Sequence, residues 1–367
     1  MESSLSYKIA LALVPGIGGV LARNLLEYCG NAEQIFSESL KSLMKIPGIG
    51  EVNARRIKNV KVFDLVEKEL KFINKYKIDV LFYSDDNYPG RLKSCPDAPI
   101  ILFSKGSMHL NCKKVISIVG TRNATDYGKL ICEKLIRDFS KRDCSVLIVS
   151  GLAYGIDIHA HKWALKLNIP TVGVLGHGLD KLYPSLHSDI ARKMLLNGGL
   201  VTDFPSGTRI DPNNFIRRNR IIAGLSDATI VIESAEKGGA LITADIAFSY
   251  NRDVFAFPGR INDIYSRGCN RLIFRNGASL IQGIEDLEYF MGWDNIAIKK
   301  SCDIEKLSDL APDERRIVEL LGKKEKLLID QISSTVKLPV SKVSNILMNL
   351  EIKNILTVLP GNMYKLR

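Results

Sequence analysis

Arginines and glycines at the ends of apolar runs are the residues of this chain best suited to chemistry. Ser117-Ile118-Val119 leads directly into Gly120-Thr121-Arg122. A guanidinium is always charged and presents a planar fork of donors, which suits a phosphate. The other reading of Arg122 is a salt bridge to an acidic neighbour. Val149-Ser150 leads into Gly151, and Gly155 precedes a helix-like stretch. Backbone amides at a helix N-terminus make a ready anion seat. Asp157 falls in the first turn of that helix, where its charge suits the dipole, and it reads as a structural cap. Gly238-Gly239-Ala240 with Thr243 opens a further helix, where small residues let a phosphate or base approach. Lys181, in a loop with His177 and Tyr183-Pro184, is another candidate phosphate contact. The run from Arg209 to Arg220 sets Arg217, Arg218 and Arg220 beside Phe215 and Asn219. Cations for phosphates and a ring for base stacking are the composition of single-strand nucleic-acid binding. Helical spacing spreads those arginines around the axis, so one or two of them are expected to pair with internal carboxylates.

Acid–base and metal chemistry find less support. Glu233, at a strand end, is the one carboxylate there that could move a proton, but it has no evident partner and reads as structural. His159 and His161 lie two apart on a helix and face different sides, so they do not chelate one ion easily. Gly120-Thr121-Arg122 lacks the dinucleotide fingerprint GxGxxG. No catalytic residue, metal or cofactor is expected.

The elements that must carry these residues are short β-branched runs, each followed by glycine and then a helix-like stretch. That alternation predicts an α/β doubly wound parallel sheet with right-handed crossovers, and ligands just past the carboxyl ends of its strands. Strands are expected at 115–119, 146–149, 171–175, 200–203, 229–233 and 254–257. Helices are expected at 126–140, 154–167, 213–223 and 240–250.

Regions outside 114–291 read as attachments. In residues 1–75, Val14-Pro15-Gly16-Ile17-Gly18 followed by Ala22-Arg23 is echoed by Ile46-Pro47-Gly48-Ile49-Gly50 followed by Ala54-Arg55. Each copy reads as helix, tight turn, helix: the helix-hairpin-helix pattern. Its turn amides either hold a DNA phosphate or merely connect helices. Arg55, Arg56 and Lys58 make only the second copy basic. Residues 76–113, punctuated by Tyr88-Pro89-Gly90, Pro96 and Pro99, form a connector with a short strand at 100–103, packed on the sheet. Residues 305–367 predict three helices, at 312–321, 328–336 and 339–353. A hairpin follows, with strands at 355–359 and 363–366 around Pro360-Gly361. Together these make a winged helix. Its third helix carries only Lys342 and Lys353, with Glu351, so a protein-contact or auxiliary role is expected over duplex reading.

Bulk composition sets the bounds. The 367 residues suit two or three domains, with 46% hydrophobic and 25% charged residues, enough for a real core. A net charge of +11 tilts toward a polyanionic partner. Seven cysteines, at 29, 95, 112, 132, 144, 269 and 302, form no CxxC pair and suit a reduced, cytoplasmic compartment. The apolar stretch from Ile9 to Ala22 lacks a basic flank and is broken by Pro15-Gly16, so it reads as folded protein and not a signal.

In order along about 160 residues, these motifs resemble the DNA-processing protein A (DprA/Smf) family. The resemblance rests on Gly120-Thr121-Arg122 with Tyr127-Gly128, Ser150-Gly151-Leu152-Ala153-Tyr154-Gly155-Ile156-Asp157, and Gly178-Leu179-Asp180 with Tyr183-Pro184. It continues through Arg218-Asn219-Arg220-Ile221-Ile222-Ala223-Gly224 and Gly239-Ala240-Leu241-Ile242-Thr243-Ala244 to Phe257-Pro258-Gly259. It implies an extended Rossmann-like fold, a SAM-like helical domain before it and a winged helix after it. It also implies single-stranded DNA in a positive groove, a homodimer, and loading of a RecA-type recombinase onto incoming strands in natural transformation, without enzymatic activity. Arg122 carries over as a phosphate contact. The full expected contact set is Gly120, Thr121, Arg122, Gly151, Gly155, Lys181, Arg217, Arg220, Gly239 and Thr243. Two departures stand out. Lys237-Gly238-Gly239 replaces the usual serine-glycine-serine, and Ser185-Leu186-His187 follows Tyr183-Pro184 where a basic residue is frequent. The alternatives are a Rossmann-like phosphoribohydrolase using Arg122 and Glu233, or a nucleotide sensor.

Overall fold

The computed structural model describes residues 2–59, 61–142, 145–293, 310–323, 327–353, 355–359 and 363–366. Cys144, Cys302 and the Pro360-Gly361 turn lie outside the described residues. The N-terminal helices are α1 (Glu2–Leu13), α2 (Gly19–Cys29), α3 (Ala32–Ser37), α4 (Leu40–Leu43), α5 (Glu51–Ile57) and α6 (Lys61–Tyr76). Then come β1 (Asp79–Phe82), α7 (Gly90–Lys93), β2 (Ile101–Gly106), β3 (Lys114–Val119), α8 (Asp126–Lys141), β4 (Val146–Ser150), α9 (Ile156–Lys166) and β5 (Thr171–Val174). The chain continues with α10 (Ser188–Met194), β6 (Gly198–Thr202), α11 (Pro212–Leu225), β7 (Ala228–Val231), α12 (Gly239–Ser249), β8 (Asp253–Ala256), α13 (Arg267–Phe274), β9 (Ser279–Leu280) and α14 (Ile284–Met291).

One nine-stranded sheet runs in the order β1-β2-β6-β5-β4-β3-β7-β8-β9. From β6 to β9 every pairing is parallel. The central strands are buried along most of their length, as strands covered on both faces must be. Alternation sorts their side chains between two layers. Val115, Val119, Leu147 and Val149 join a core with Ile221 and Ile222 of α11, Ala240 and Ala244 of α12, and Cys269 of α13. The intervening Ile116, Ile118 and Ile148 are also fully buried and face the other layer. Chain order reverses at β3, which pairs with β4 on one side and β7 on the other. In such folds the crevice at the carboxyl ends beside that reversal is where ligands bind.

The connector is more than a segment packed on the sheet: it supplies two of its strands. β2 pairs antiparallel with both β1 and β6. Leu102 enters the main core, whereas its neighbours Ile101 and Phe103 enter the core of the N-terminal helices with Leu11, Leu25, Ile35 and Ile57. The period of two therefore serves both cores at once. Ion pairs fasten the connector further. Arg91 Nε lies 2.5 Å from Asp227 Oδ1, whose other oxygen accepts from the Val115 amide at 2.8 Å.

The two sequence repeats become equivalent turns. Gly16 and Gly48 take φ of 83° and 82°, and Ile17 and Ile49 donate to Val14 and Ile46 oxygens at 3.2 and 3.0 Å. Their cations are engaged within the protein. Arg23 donates to the Cys95 oxygen at 3.0 Å and Arg56 to the Pro15 oxygen at 3.4 Å. Lys58 donates to the Phe36 and Glu38 oxygens, and Arg55 pairs with Glu51. This arrangement favours the connecting role over a phosphate seat.

Residues 287–367 form a separate compact unit. It contains α15 (Pro312–Lys323), β10 (Leu327–Leu328), α16 (Ile329–Val336), α17 (Val340–Ile352), β11 (Leu356–Leu359) and β12 (Met363–Leu366), with sheet order β10-β12-β11. Ile317, Leu321, Ile332, Val343, Leu347 and Leu350 fill its core, so helical spacing in α17 serves packing. The short β10, unexpected from sequence, completes the wing. Lys342 of α17 and Lys353 at its C-cap pair with Asp313 at 2.7 Å and Glu314 at 2.9 Å on α15. Among the described residues, no helix is long and apolar enough to cross a membrane.

Candidate nucleic-acid interface

A cleft of about 710 Å3 opens at the carboxyl ends of β3 and β7, at the point where strand order reverses. The loop after β3 supplies Gly120, Thr121, Arg122 and Asn123 to its wall. That loop is stitched in place: the Thr121 amide donates to the Glu233 oxygen at 2.7 Å, and the Ile156 amide donates to the Thr121 oxygen at 3.2 Å. Gly155 lets α9 come this close, since it sits at φ 76° and a β-carbon there would lie 2.1 Å from the Thr121 oxygen. Arg122 is exposed at the junction of the cleft and a smaller pocket of about 90 Å3. Among the described residues no carboxylate pairs with it, so the salt-bridge alternative is not realised.

Opposite stands the start of α12. Its N-cap is Gly238, no side chain caps it, and no acidic residue occupies its first turn. Its amides and dipole are therefore available to an anion. Gly239 is exposed, and a β-carbon there would meet nothing within 4 Å. Lys237, Gly238, Gly239 and Thr243 all line the cleft. The Thr243 hydroxyl donates to the Gly239 oxygen at 3.2 Å, so it closes its own helix. Phe215, Tyr183 and Tyr265 add aromatic rings to the wall, with Phe215 and Tyr183 5.7 Å apart.

Beneath Gly151 lie two buried, electrostatically coupled groups, Arg218 and Asp157. A β-carbon at Gly151 would fall 2.3 Å from Arg218 Nη1 and 2.4 Å from Asp157 Oδ2, so any larger residue would have to displace these two side chains. Arg218 donates to the Val174 oxygen at 2.5 Å, and its Nε has no protein partner. Burial pulls its guanidinium down to about 10, opposed by Asp157. Burial pushes the Asp157 carboxyl up, opposed first by Arg218 and then by the Ala153 amide. Asp157 thus acts as the counter-charge of Arg218 as well as a helix-start residue.

Several expected contacts lie elsewhere. Arg220, expected as a contact, lies outside the cleft wall: it pairs with Asp203 at 2.5 Å and also donates to the Asp97 oxygen, so it braces the connector. Arg217 and Lys181 are exposed but outside the cleft wall. The Arg217 guanidinium lies 5.4 Å from the centre of the Phe204 ring, and Lys181 Nζ lies 3.4 Å from the Thr208 oxygen. Glu233 is buried, and its carboxylate accepts from the Thr125 amide at 3.0 Å and from the Thr125 hydroxyl. It fixes the start of α8. His159 accepts from Trp163 Nε1 at 3.1 Å, while His161 Nδ1 lies 2.7 Å from Thr171 Oγ1. Burial pushes the His161 imidazole down to about 3. Among the described residues no cluster of His, Cys, Asp or Glu is placed to hold a metal ion.

Residues 79–292 match the model of the DNA recombination-mediator protein A family. The chain belongs to this family. Residues 9–59 match the SAM-like helix-hairpin-helix tandem, and 305–362 the DprA winged helix domain. Protein Smf of Synechocystis is 31% identical with full coverage of both chains, and Protein Smf of Escherichia coli 33% identical over 82% of this chain and 81% of that one. The X-ray structure of DNA processing protein A from Streptococcus pneumoniae is similar at TM-score 0.65 and 32% identity, covering 77% of this chain and 96% of that one. A Helicobacter pylori structure, described for its single-stranded DNA binding mode, is similar at TM-score 0.53 and 28% identity, covering 60% and 97%.

The two departures from the family pattern now have places. Lys237 adds a cation to the cleft wall. His187 is buried with Nδ1 2.8 Å from the Leu152 oxygen, so it packs the loop after β4 and lies outside the cleft wall. Tyr265 and Asn123 are cleft residues that sequence reasoning missed. The available signal for Tyr265 was an aromatic six residues past Pro258-Gly259, outside any periodic element.

Proposed function

We propose that this chain binds single-stranded DNA in the switch-point cleft as a homodimer and delivers it to a RecA-type recombinase, without catalysing a reaction. The carrying observation is the cleft itself, lined by exposed Arg122 and Lys237 together with the uncapped start of α12 and three aromatic rings. Cations and amides suit the phosphates, and rings suit any base, so the reading favours strands over sequence. A duplex keeps its bases stacked inside and gains only the charge contacts. The family name and the H. pylori relative's described binding mode support this assignment. The absence of a free acid–base group at Glu233 speaks against the phosphoribohydrolase alternative. For the dimer we assign the face carried by α12 and α13, which pack in the same core layer and leave Phe248 63% and Phe274 86% exposed. A cytoplasmic location accords with this role.

Fluorescence anisotropy with labelled single and double strands across a salt series tests the reading. Single strands should bind tighter, with affinity falling as salt rises. Arg122→Ala should weaken single-strand binding by roughly tenfold or more and reduce the salt slope by about 0.7, one phosphate. Unchanged binding by Arg122→Ala, or mononucleotides competing as well as strands, would overturn it.

A further inference from the structure

A second cavity, of about 870 Å3, lies beside the first and is unexplained by it. Its walls are Thr125 and Tyr127 from the start of α8 and the loop 258–265 after β8, including Arg260, Asn262 and Tyr265. Tyr265 belongs to both cavities. Asn123 Nδ2 donates to the Tyr265 hydroxyl at 3.1 Å, so these two side chains form the sill between them.

The loop is anchored at both ends. Asn270 grips Gly259, accepting from its amide at 3.1 Å and donating to its oxygen at 3.0 Å. At the far end the Ser234 amide donates to the Tyr265 oxygen at 2.7 Å, and the Gly268 amide to the Ser234 oxygen at 2.9 Å. The Tyr127 hydroxyl donates to the Pro258 oxygen at 2.6 Å, which fixes its half-exposed ring at the cavity wall. Arg260 is exposed, and no carboxylate among the described residues pairs with it, although Asp263 shares the wall. Fixed rings with an uncommitted guanidinium, directly beside a phosphate-suited cleft, are what a flexible polyanion with stackable bases would use.

We infer that this cavity is a second nucleotide subsite, which a single strand enters after crossing the Asn123–Tyr265 sill. The inference rests on the reading of the switch-point cleft. Tyr127 stacks a base and Arg260 holds a phosphate. The site therefore contributes only to strands long enough to fill both cavities.

Anisotropy titrations with oligothymidylates of about 4 and about 16 nucleotides separate the two sites. Arg260→Ala should leave the short strand's affinity unchanged, weaken the long strand roughly fivefold, and reduce its salt slope by about 0.7. Arg260→Lys should restore the slope. Tyr127→Leu, which lies outside the first cleft, should weaken the long strand without altering the slope. Long-strand binding equal to wild type in both Arg260→Ala and Tyr127→Leu overturns the inference. So does equal weakening of both lengths. Arg122→Ala serves as the separate control: if it changes neither length, the first cleft's reading fails, whatever Arg260 does.

Discussion

Asp157→Asn tests how the floor of the cleft is held. Arg218 is 5% exposed, and burial lowers its guanidinium to about 10 even with Asp157 beside it. That displacement corresponds to roughly 3 kcal/mol against the charged form. Arg218 nevertheless stays ionised at neutral pH, because about 10 is still well above 7. Asparagine keeps the shape of Asp157 and can still accept from the Ala153 amide, but it removes the counter-charge. An uncompensated buried charge costs about 3–5 kcal/mol, a large share of the ~5–15 kcal/mol that holds a domain folded. Urea unfolding of the full chain at pH 7 should show that loss. The double variant Asp157→Asn/Arg218→Met, with both charges gone and a side chain of similar length in place, should recover most of it. If Asp157→Asn lies within about 0.5 kcal/mol of wild type, or the double variant is weaker than the single one, the two groups are not coupled and the account of Gly151 between them fails.

Three further outcomes follow from the same geometry. Arg220→Ala should destabilise the protein by about 2–4 kcal/mol through the loss of Asp203's partner, and leave the salt slope of strand binding as in wild type. A reduced slope would return Arg220 to the contact set. His161 is neutral when folded down to about pH 3, whereas an unfolded histidine protonates near its ordinary 6.5. Its contribution is therefore fully present above 6.5 and declines as pH falls toward 3, by about 1.4 kcal/mol per pH unit. Urea midpoints between pH 7 and 5 should show a shallower decline in His161→Gln. In the winged helix, Lys342→Ala and Lys353→Ala should leave duplex binding unchanged in anisotropy, because both ammonium groups already face Asp313 and Glu314; a loss would make α17 a duplex reader.

Much of the architecture was readable because buried parallel strands are nearly continuous apolar runs. Val115 to Val119, interrupted only by Ser117, and Val146 to Val149 have that form and are β3 and β4. The antiparallel attachment of β1 and β2 was not readable, since a four-residue strand carries no mark of its partner's direction. Arg122 was legible as a strand-end cation from local sequence alone. The fates of Arg218 and Arg220 were not, because they depend on Asp157, Asp203 and Asp97, which are brought near only by folding. Helical spacing indicated that these arginines would diverge, without indicating which one faces outward. Arg260 and Tyr127 were missed because their shared cavity joins a helix start to a loop over 130 residues later.

The β2–β6 pairing makes the molecule hard to divide. Repetition of strand and helix invites a cut near residue 114, as though a self-sufficient nucleotide-binding module began there. Such a cut would leave β6 as a bare edge, a template for self-association. It would also strand Asp203 beside an arginine missing one of its acceptors, and leave Asp227 without Arg91. Evolutionary shuffling of the front helices therefore has to carry residues 79–106 with the sheet, and trimmed versions of this protein should keep them to stay soluble.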